Sequence, residues 1–158
     1  MPNNNQTYMH EALRISLVMM RAGKRGPFGA VVVKDGQILR RGCNQVTSTN
    51  DPTAHAEIVA IREACRQLGS FRLDGCDLYA SCEPCPMCLS AIYWARIEKI
   101  FYSATRKDAA AAGFRDDFIY DEISLPPSKR KVPSEQLMPE GALAAFAEWK
   151  AKPDKTPY

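Results

Sequence analysis

The sequence predicts an α/β fold with a mixed central sheet. Apolar runs of strand length alternate with stretches of helical periodicity, which favours helices layered on strands. Two early runs, 28–33 and 38–39, flank Asp35-Gly36, a dipeptide typical of a tight hairpin turn. The hairpin provides an antiparallel pair, and strands separated by helices favour parallel pairs, so the predicted sheet contains both.

The other elements follow in order along the chain. Before Gly23, apolar residues recur at helical spacing, namely Met9, Leu13, Leu17 and Met20. They predict a helix over 7–22 whose apolar face packs in the core. Later helices are expected from His55 to near Gly69, from the Cys85 turn to about Ala95, and over 141–150, with strands at 76–80 and 97–102. A short helix is expected at 109–112, and 125–131 is expected to be a solvated basic loop.

Composition narrows the class of protein. The 158 residues suit one domain, and 46% hydrophobic with 25% charged residues is ordinary for a soluble globular protein. The polar residues 1–6 do not resemble a signal peptide, and no apolar run is long enough to cross a membrane. Six cysteines suit a reducing cytoplasm, and a net charge of +3 is too small to indicate a nucleic-acid binder. These features favour a small-molecule enzyme.

Two motifs together predict a catalytic zinc site. Cys85 and Cys88 are three residues apart after a proline, so both sulfurs can face one ion from a helical turn. His55, at another helix start, is the third ligand, which leaves one tetrahedral position open for water. Glu57 lies two residues later and is placed as general base for that water. His-x-Glu followed by Pro-Cys-x-x-Cys is a known signature of zinc nucleobase deaminases.

Other interpretations of these residues stay open. A Cys-x-x-Cys pair alone also occurs in redox sites and structural zinc sites, but a structural zinc would use four protein ligands and needs no adjacent base such as Glu57. Cys82 is interpreted as a buried thiol beside the site. Phe28 either packs at a strand start or lies over a planar base, and Asn44 either caps a loop or binds a nucleobase edge.

Nearly the whole chain resembles the cytidine deaminase-like superfamily and, within it, the bacterial guanine deaminases. The resemblance is carried by Pro27–Val31, Asn50–Glu57, Ser81–Cys88, Ala91–Arg96, Ala112-Gly113-Phe114, Asp116, Phe118-Ile119-Tyr120 and Tyr158. The zinc motifs are common to the superfamily. The segment after Gly113 and the terminal tyrosine carry the expectation about substrate.

This resemblance implies a three-layer α/β/α fold and the hydrolysis of guanine to xanthine and ammonia. It implies one Zn2+ per subunit, bound by His55, Cys85 and Cys88, with Glu57 moving protons between water and base. By similarity, the base is bound by Asn44, the Ala56 backbone and a stacked Phe28, with Tyr158 at the site. By the same similarity, Asp116 is the second catalytic residue, which engages the guanine amino side and assists the departure of ammonia. Because Arg115 displaces the acid pair to 116 and 117, Asp117 stays open as the alternative to Asp116.

The resemblance also implies a homodimer. Residues 1–158 are expected to form a single deaminase domain whose segment 139–158 is exchanged between subunits, so that Tyr158 closes the partner's site. A guanosine deaminase, a tRNA adenosine deaminase and a non-enzymatic zinc-stabilised binding module are the alternatives, with no membrane partner expected.

Overall fold

The structure, a computed structural model, describes residues 4–23 and 25–158; residues 1–3 of the polar start lie outside the described part. The helices are α1 (Asn4–Arg21), α2 (Val46–Thr49), α3 (Ala56–Leu68), α4 (Pro86–Trp94), α5 (Arg106–Ala111), α6 (Asp117–Ser124) and α7 (Pro139–Ala151). The strands are β1 (Gly29–Lys34), β2 (Gln37–Cys43), β3 (Cys76–Cys82) and β4 (Lys99–Ala104).

The sheet has the order β2-β1-β3-β4 and is mixed, as predicted. β1 pairs antiparallel with both β2 and β3, whereas β3 pairs parallel with β4. Asp35 and Gly36 have φ angles of 50° and 74°, which are the left-handed values that a tight hairpin turn requires. The parallel pair matters for the site because α4 is part of its crossover connection.

Helices cover both faces of the sheet. Val31, Val33 and Tyr79 belong to the core cluster that contains α1 residues. Their neighbours Val32, Leu78 and Ala80 point the other way and belong to the cluster that contains α3 and α4 residues. This alternation of successive side chains produces the predicted three-layer α/β/α arrangement.

The predicted core stripe of α1 was only partly right, because Met9 packs against the core but the stripe does not continue along the helix. Leu17 and Met20 are exposed, and the buried face is made instead by Tyr8, Ala12, Ile15 and Ser16. The small Ala12 allows the helix backbone to approach Gly29 so closely that a Cβ on Gly29 would lie 2.3 Å from the Ala12 carbonyl oxygen. This close approach, rather than the number of long apolar side chains, selects the face that packs.

The chain divides into two compact units, residues 1–118 and 119–158. In the second unit, the basic loop was only partly predicted correctly. The Arg130 guanidinium donates hydrogen bonds to the backbone carbonyl oxygens of Glu122, Ile123 and Leu125 at distances of 3.0–3.3 Å, so it caps the end of α6. In the part of the chain that the structure describes, no helix has the length and apolarity needed to cross a membrane.

Gly42 brings the end of β2 against the start of α3. A Cβ at this position would lie 2.1 Å from the Ala56 carbonyl oxygen and 2.6 Å from the Ala60 nitrogen, closer than real atoms approach. Since Asn44 follows β2 directly and His55 precedes α3, this approach determines how near the two residues lie to each other.

We expect Gly42→Ala to lower the free energy of unfolding by about 1–3 kcal/mol, because the added methyl must push β2 away from α3. Glu63→Ala is the control, since Glu63 lies on the solvent side of α3 in an exposed ion pair with Arg66, so the change adds no group between β2 and α3. The control should be close to neutral, because exposed ion pairs contribute little to stability. Urea unfolding midpoints compare the two, and equal effects would contradict the role of the close approach.

Candidate metal centre

Two helix starts place the predicted metal ligands. His55 is the N-cap residue of α3 and Cys85 is the N-cap residue of α4, both with extended backbone. Pro86 occupies the first turn of α4, where a missing N–H costs nothing, as the sequence predicts. The Cys88 N–H points at the Cys85 sulfur at 3.5 Å, so the two thiols lie on one side of this turn.

The three ligand atoms form a group of the size that zinc requires. His55 Nδ1 lies 3.5 Å from the Cys85 sulfur and 3.5 Å from the Cys88 sulfur. All three atoms lie within 4.8 Å of one another. Tetrahedral bonds of about 2.0 Å to nitrogen and 2.3 Å to sulfur imply an N–S separation of about 3.5 Å. The donor set and its spacing therefore fit zinc, with one coordination position left for a non-protein ligand.

The electrostatics of the two thiols also fit a cation. A hydrogen bond from Cys88 lowers the pKa of Cys85 to about 4, which burial opposes and the His55 imidazole supports. The same Cys85 interaction, together with burial and the nearby Glu57 carboxylate, raises the pKa of Cys88. The pair of thiols therefore loses one proton readily but resists the loss of a second, which would place two negative charges side by side. A divalent cation between the sulfurs removes this conflict.

Glu57 lies next to this group. It is in the first turn of α3 and is buried, and its carboxylate oxygen lies 3.5 Å from the Cys88 sulfur. Burial raises the pKa of Glu57 above its ordinary value. A buried carboxylate with a raised pKa, beside an open coordination position, can exchange a proton with a ligand bound there.

Sequence reasoning missed the side chains that hold His55 in place. The Asp51 carboxylate accepts hydrogen bonds from the Thr53 backbone N–H at 2.8 Å and from the Thr53 hydroxyl at 2.6 Å, closing the turn before His55. Arg62, which lies further along α3, donates hydrogen bonds to the Asp51 carboxylate at 3.3 Å and to the Thr53 hydroxyl at 3.2 Å. The Asp-Pro-Thr sequence signals the turn, but nothing local signals Arg62.

Candidate substrate residues lie around the same region. Phe28 packs edge-to-face on Phe114, with ring centroids 4.8 Å apart, as the packing interpretation expected. The Asn44 side-chain oxygen accepts the Val46 N–H at 3.2 Å and so does cap a loop, as one interpretation expected. Its amide nitrogen still carries two donors for a ligand. Ala56 opens α3, where backbone N–H groups have no partner within the helix.

The two neighbouring acids have different environments. Asp116 Oδ1 is a buried oxygen without a hydrogen-bond partner in the described residues. Burial, followed by the negative charge of Cys85, raises the pKa of Asp116, and His55 opposes this shift, so the carboxyl lies within the electrostatic reach of the metal centre. Asp117 instead forms an ion pair with Arg115 at 3.4 Å. An unsatisfied buried oxygen of this kind is typical of a ligand-binding group.

Two further predicted residues lie outside this group. Cys82 is buried, as predicted, and this burial raises the pKa of its thiol to about 11. Its sulfur lies 3.7 Å from the Thr105 carbonyl oxygen. Tyr158 belongs to the second unit, and its predicted role stays a prediction.

Comparison with known proteins identifies the family. Residues 2–104 match the model described as the cytidine and deoxycytidylate deaminase zinc-binding region, which spans both metal-ligand motifs. The chain belongs to this zinc-binding deaminase family. The family, the His/Cys/Cys group and the fit to zinc therefore agree with one another.

Within the deaminase family, similarity to individual members differs in extent. The chain is 51% identical to the guanine deaminase of Bacillus subtilis (strain 168) over 98% of its own length and 99% of that protein. The X-ray structure of guanine deaminase from Bacillus subtilis superposes with a TM-score of 0.94, covering 97% of this chain and 98% of that one. A tRNA-specific adenosine deaminase of Aquifex aeolicus is 49% identical, but over only 55% of this chain and 59% of its own.

Replacing one ligand of this deaminase centre should abolish zinc binding. We expect Cys88→Ala to weaken zinc binding by more than about a hundredfold. Loss of a residue that only hydrogen-bonds to a metal ligand typically weakens metal binding by about 10- to 100-fold, and loss of a ligand should exceed this. Cys82→Ala is the control, because Cys82 is another buried cysteine of the same segment outside the ligand group. It should retain zinc in competition with a chromophoric chelator. Equal zinc loss in both variants would show that the ligands are assigned wrongly.

Proposed function

We propose that this protein is a zinc-dependent guanine deaminase, which converts guanine and water to xanthine and ammonia. The observation that carries the proposal is the 51% identity to a guanine deaminase over 98% of the chain. That match extends beyond residue 104, where the shared zinc-binding region ends. It therefore includes Asp116, the buried acid beside the metal centre, whereas the match to the Aquifex tRNA deaminase covers 55% of the chain.

One zinc ion per subunit would be held by His55, Cys85 and Cys88, whose donor atoms have the spacing described above. When bound, zinc would supply the Lewis acidity that lowers the pKa of a water molecule to about 7. The protein would then have to hold the purine so that its carbon 2 faces that water. It would also have to move two protons, one to the ring and one to the departing amine.

Glu57 is the proposed proton carrier. Its buried carboxylate would take a proton from the attacking water and deliver it to the ring nitrogen beside carbon 2. It would then take the second proton from the new hydroxyl and deliver it to the exocyclic nitrogen, so that the carbon–nitrogen bond breaks and ammonia leaves. The position two residues after His55 supports this role, because both side chains come from the first turn of one helix.

The base would be held from several sides. Asn44 would donate its amide N–H groups to acceptor atoms on the purine edge, and the Ala56 backbone N–H would do the same from the start of α3. Phe28, braced from one edge by Phe114, would stack on the purine ring. Asp116 would accept a hydrogen bond from the guanine amino side, which would satisfy its unpartnered oxygen.

Glu57→Gln tests the chemical role. The amide cannot carry protons, so we expect kcat to fall by about 10²- to 10⁴-fold while zinc is retained. Glu63→Gln, on the exposed side of the same helix, is the control and should leave guanine turnover unchanged. Ammonia release and metal analysis measure both properties. If Glu57→Gln loses its zinc, the carboxylate supports the metal rather than the proton transfer.

Asp116→Asn and Asp117→Asn separate the two acids. We expect the first to lower kcat/KM for guanine by about a hundredfold or more, because a neutral amide is a weaker acceptor than a carboxylate and cannot exchange a proton on the reacting side of the base. The second breaks only the Arg115 ion pair, and it should stay within about threefold of wild type because exposed pairs contribute little. The reverse order would assign the substrate contact to Asp117.

We further propose that the protein is a cytoplasmic homodimer whose segment 139–158 crosses to the partner subunit. The second unit has 40 residues, 119–158, and chains of about this length rarely fold without additional support. Neither α6 nor α7 contains a buried residue, and Leu143, Phe146 and Trp149 are 62%, 68% and 42% exposed on α7. Such a surface favours burial against a protein partner. The free thiols of the described cysteines suit a reducing compartment.

Mixed dimers test whether the tail completes the partner's site. One inactive variant carries Glu57→Gln, and the other lacks residues 153–158. If the tail crosses, co-expression should restore about half of the wild-type activity per mixed dimer, because the full-length tail of the first subunit serves the intact Glu57 of the second and the other site has neither. No recovery in mixed dimers confirmed by native mass spectrometry would mean that each tail closes its own site.

A further inference from the structure

The segment that carries Phe114 and Asp116 is joined to the metal-ligand turn by a side chain with no role assigned so far. β3 ends at Cys82, and the ligand turn begins with Glu83. The Glu83 N–H donates to the Ala104 carbonyl oxygen at 2.8 Å, which extends the parallel pairing of β3 with β4 by one bond. The Glu83 carboxylate then accepts the Arg106 backbone N–H at 2.9 Å.

This carboxylate satisfies the first orphan donor of α5. The N–H groups at a helix start have no partner within the helix, and Arg106 is the first residue of α5. Thr105 and Asp108 form a capping box that satisfies other donors of the same turn. The first turn of α5 is therefore capped by Thr105 and Asp108 and is also hydrogen-bonded to Glu83, which belongs to the metal-ligand turn.

The far end of α5 points back towards the substrate region. Gly113 has a φ angle of 96°, and the Phe114 N–H donates to the Ala109 carbonyl oxygen at 3.0 Å, which reverses the chain after the helix. Phe114 then meets the ring of Phe28. The buried oxygen of Asp116 follows two residues later. Since α5 has only six residues, a shift at its start carries through to both side chains.

We propose that Glu83 is a positioning residue that fixes the start of α5 against the metal-ligand turn, and thereby sets where Phe114 and Asp116 stand over the substrate. This role rests on the proposed deamination of guanine. Glu83 lies outside the group formed by His55, Cys85 and Cys88. It couples the turn that binds the metal to the segment that holds the purine.

Glu98 provides a matched control. Its carboxylate accepts the Gly75 backbone N–H at 3.0 Å, which is the same kind of bond at the opposite end of the same pair of parallel strands. Glu98→Ala therefore removes an equivalent hydrogen bond far along the strands from the ligand turn. Glu83→Gln is the conservative variant, because a side-chain amide oxygen can still accept the Arg106 N–H.

The experiment measures kcat and KM for guanine, zinc content, and amide hydrogen exchange of residues 106–116 in zinc-loaded protein. We expect Glu83→Ala to raise KM about tenfold with a smaller change in kcat, and to speed exchange in 106–116 about tenfold, with zinc retained. Glu83→Gln should lie within about threefold of wild type, since the acceptor is kept. Glu98→Ala should leave guanine kinetics unchanged.

Three results would overturn the proposal. The first is a Glu83→Ala variant whose KM and amide exchange equal those of the wild type. The second is loss of zinc from Glu83→Ala, and the third is a rise in KM in Glu98→Ala as large as that in Glu83→Ala. Failure of the proposed function gives a different pattern, in which the wild-type protein itself releases no ammonia from guanine. In that case, exchange in 106–116 still decides whether Glu83 anchors α5, because it requires no substrate.

Discussion

The site depends on the convergence of two helix starts on one point. His55 and Cys85 are the residues that immediately precede α3 and α4, and Cys88 lies one turn into α4. Zinc requires soft donors at nearly fixed separations, so an error of 1 Å in the placement of either helix would spoil the tetrahedron. The sheet meets this requirement because β2 and β3 flank β1 and lead towards α3 and α4 respectively.

Close approaches of backbone maintain this placement. Gly42 allows β2 to touch α3, and Gly29 allows β1 to touch α1, and in both positions a methyl group would lie within 2.5 Å of a carbonyl oxygen. Phe28 directly precedes Gly29 and Asn44 follows Gly42 by two residues. The proposed purine contacts are therefore attached to the best-packed parts of the fold, while the acid that would complete them comes from the less buried segment after α5.

The grouping of His55, Cys85 and Cys88 was predictable because its signals are local. Each signal lies within one or two helical turns of sequence. The signals are the prolines before and after Cys85, the three-residue spacing from Cys85 to Cys88, and the two-residue spacing from His55 to Glu57. The core face of α1 was not predictable in this way, because it is selected by contact with Gly29 from another element. The hydrogen bonds of Arg62 and Glu83 join residues 9–23 positions apart, and no periodicity indicates such partners.

Ammonia release from guanine, guanosine, adenine, cytosine and cytidine, each incubated with purified zinc-loaded protein, tests the central claim most directly. The proposed function predicts release from guanine, and none from adenine, cytosine or cytidine, because Asp116 would engage the guanine amino side and these other bases present a different edge. Release from cytidine or adenine, or no release from guanine, would contradict the assignment. Release from guanosine in place of guanine would retain the proposed proton transfer by Glu57 but contradict the free base as the substrate.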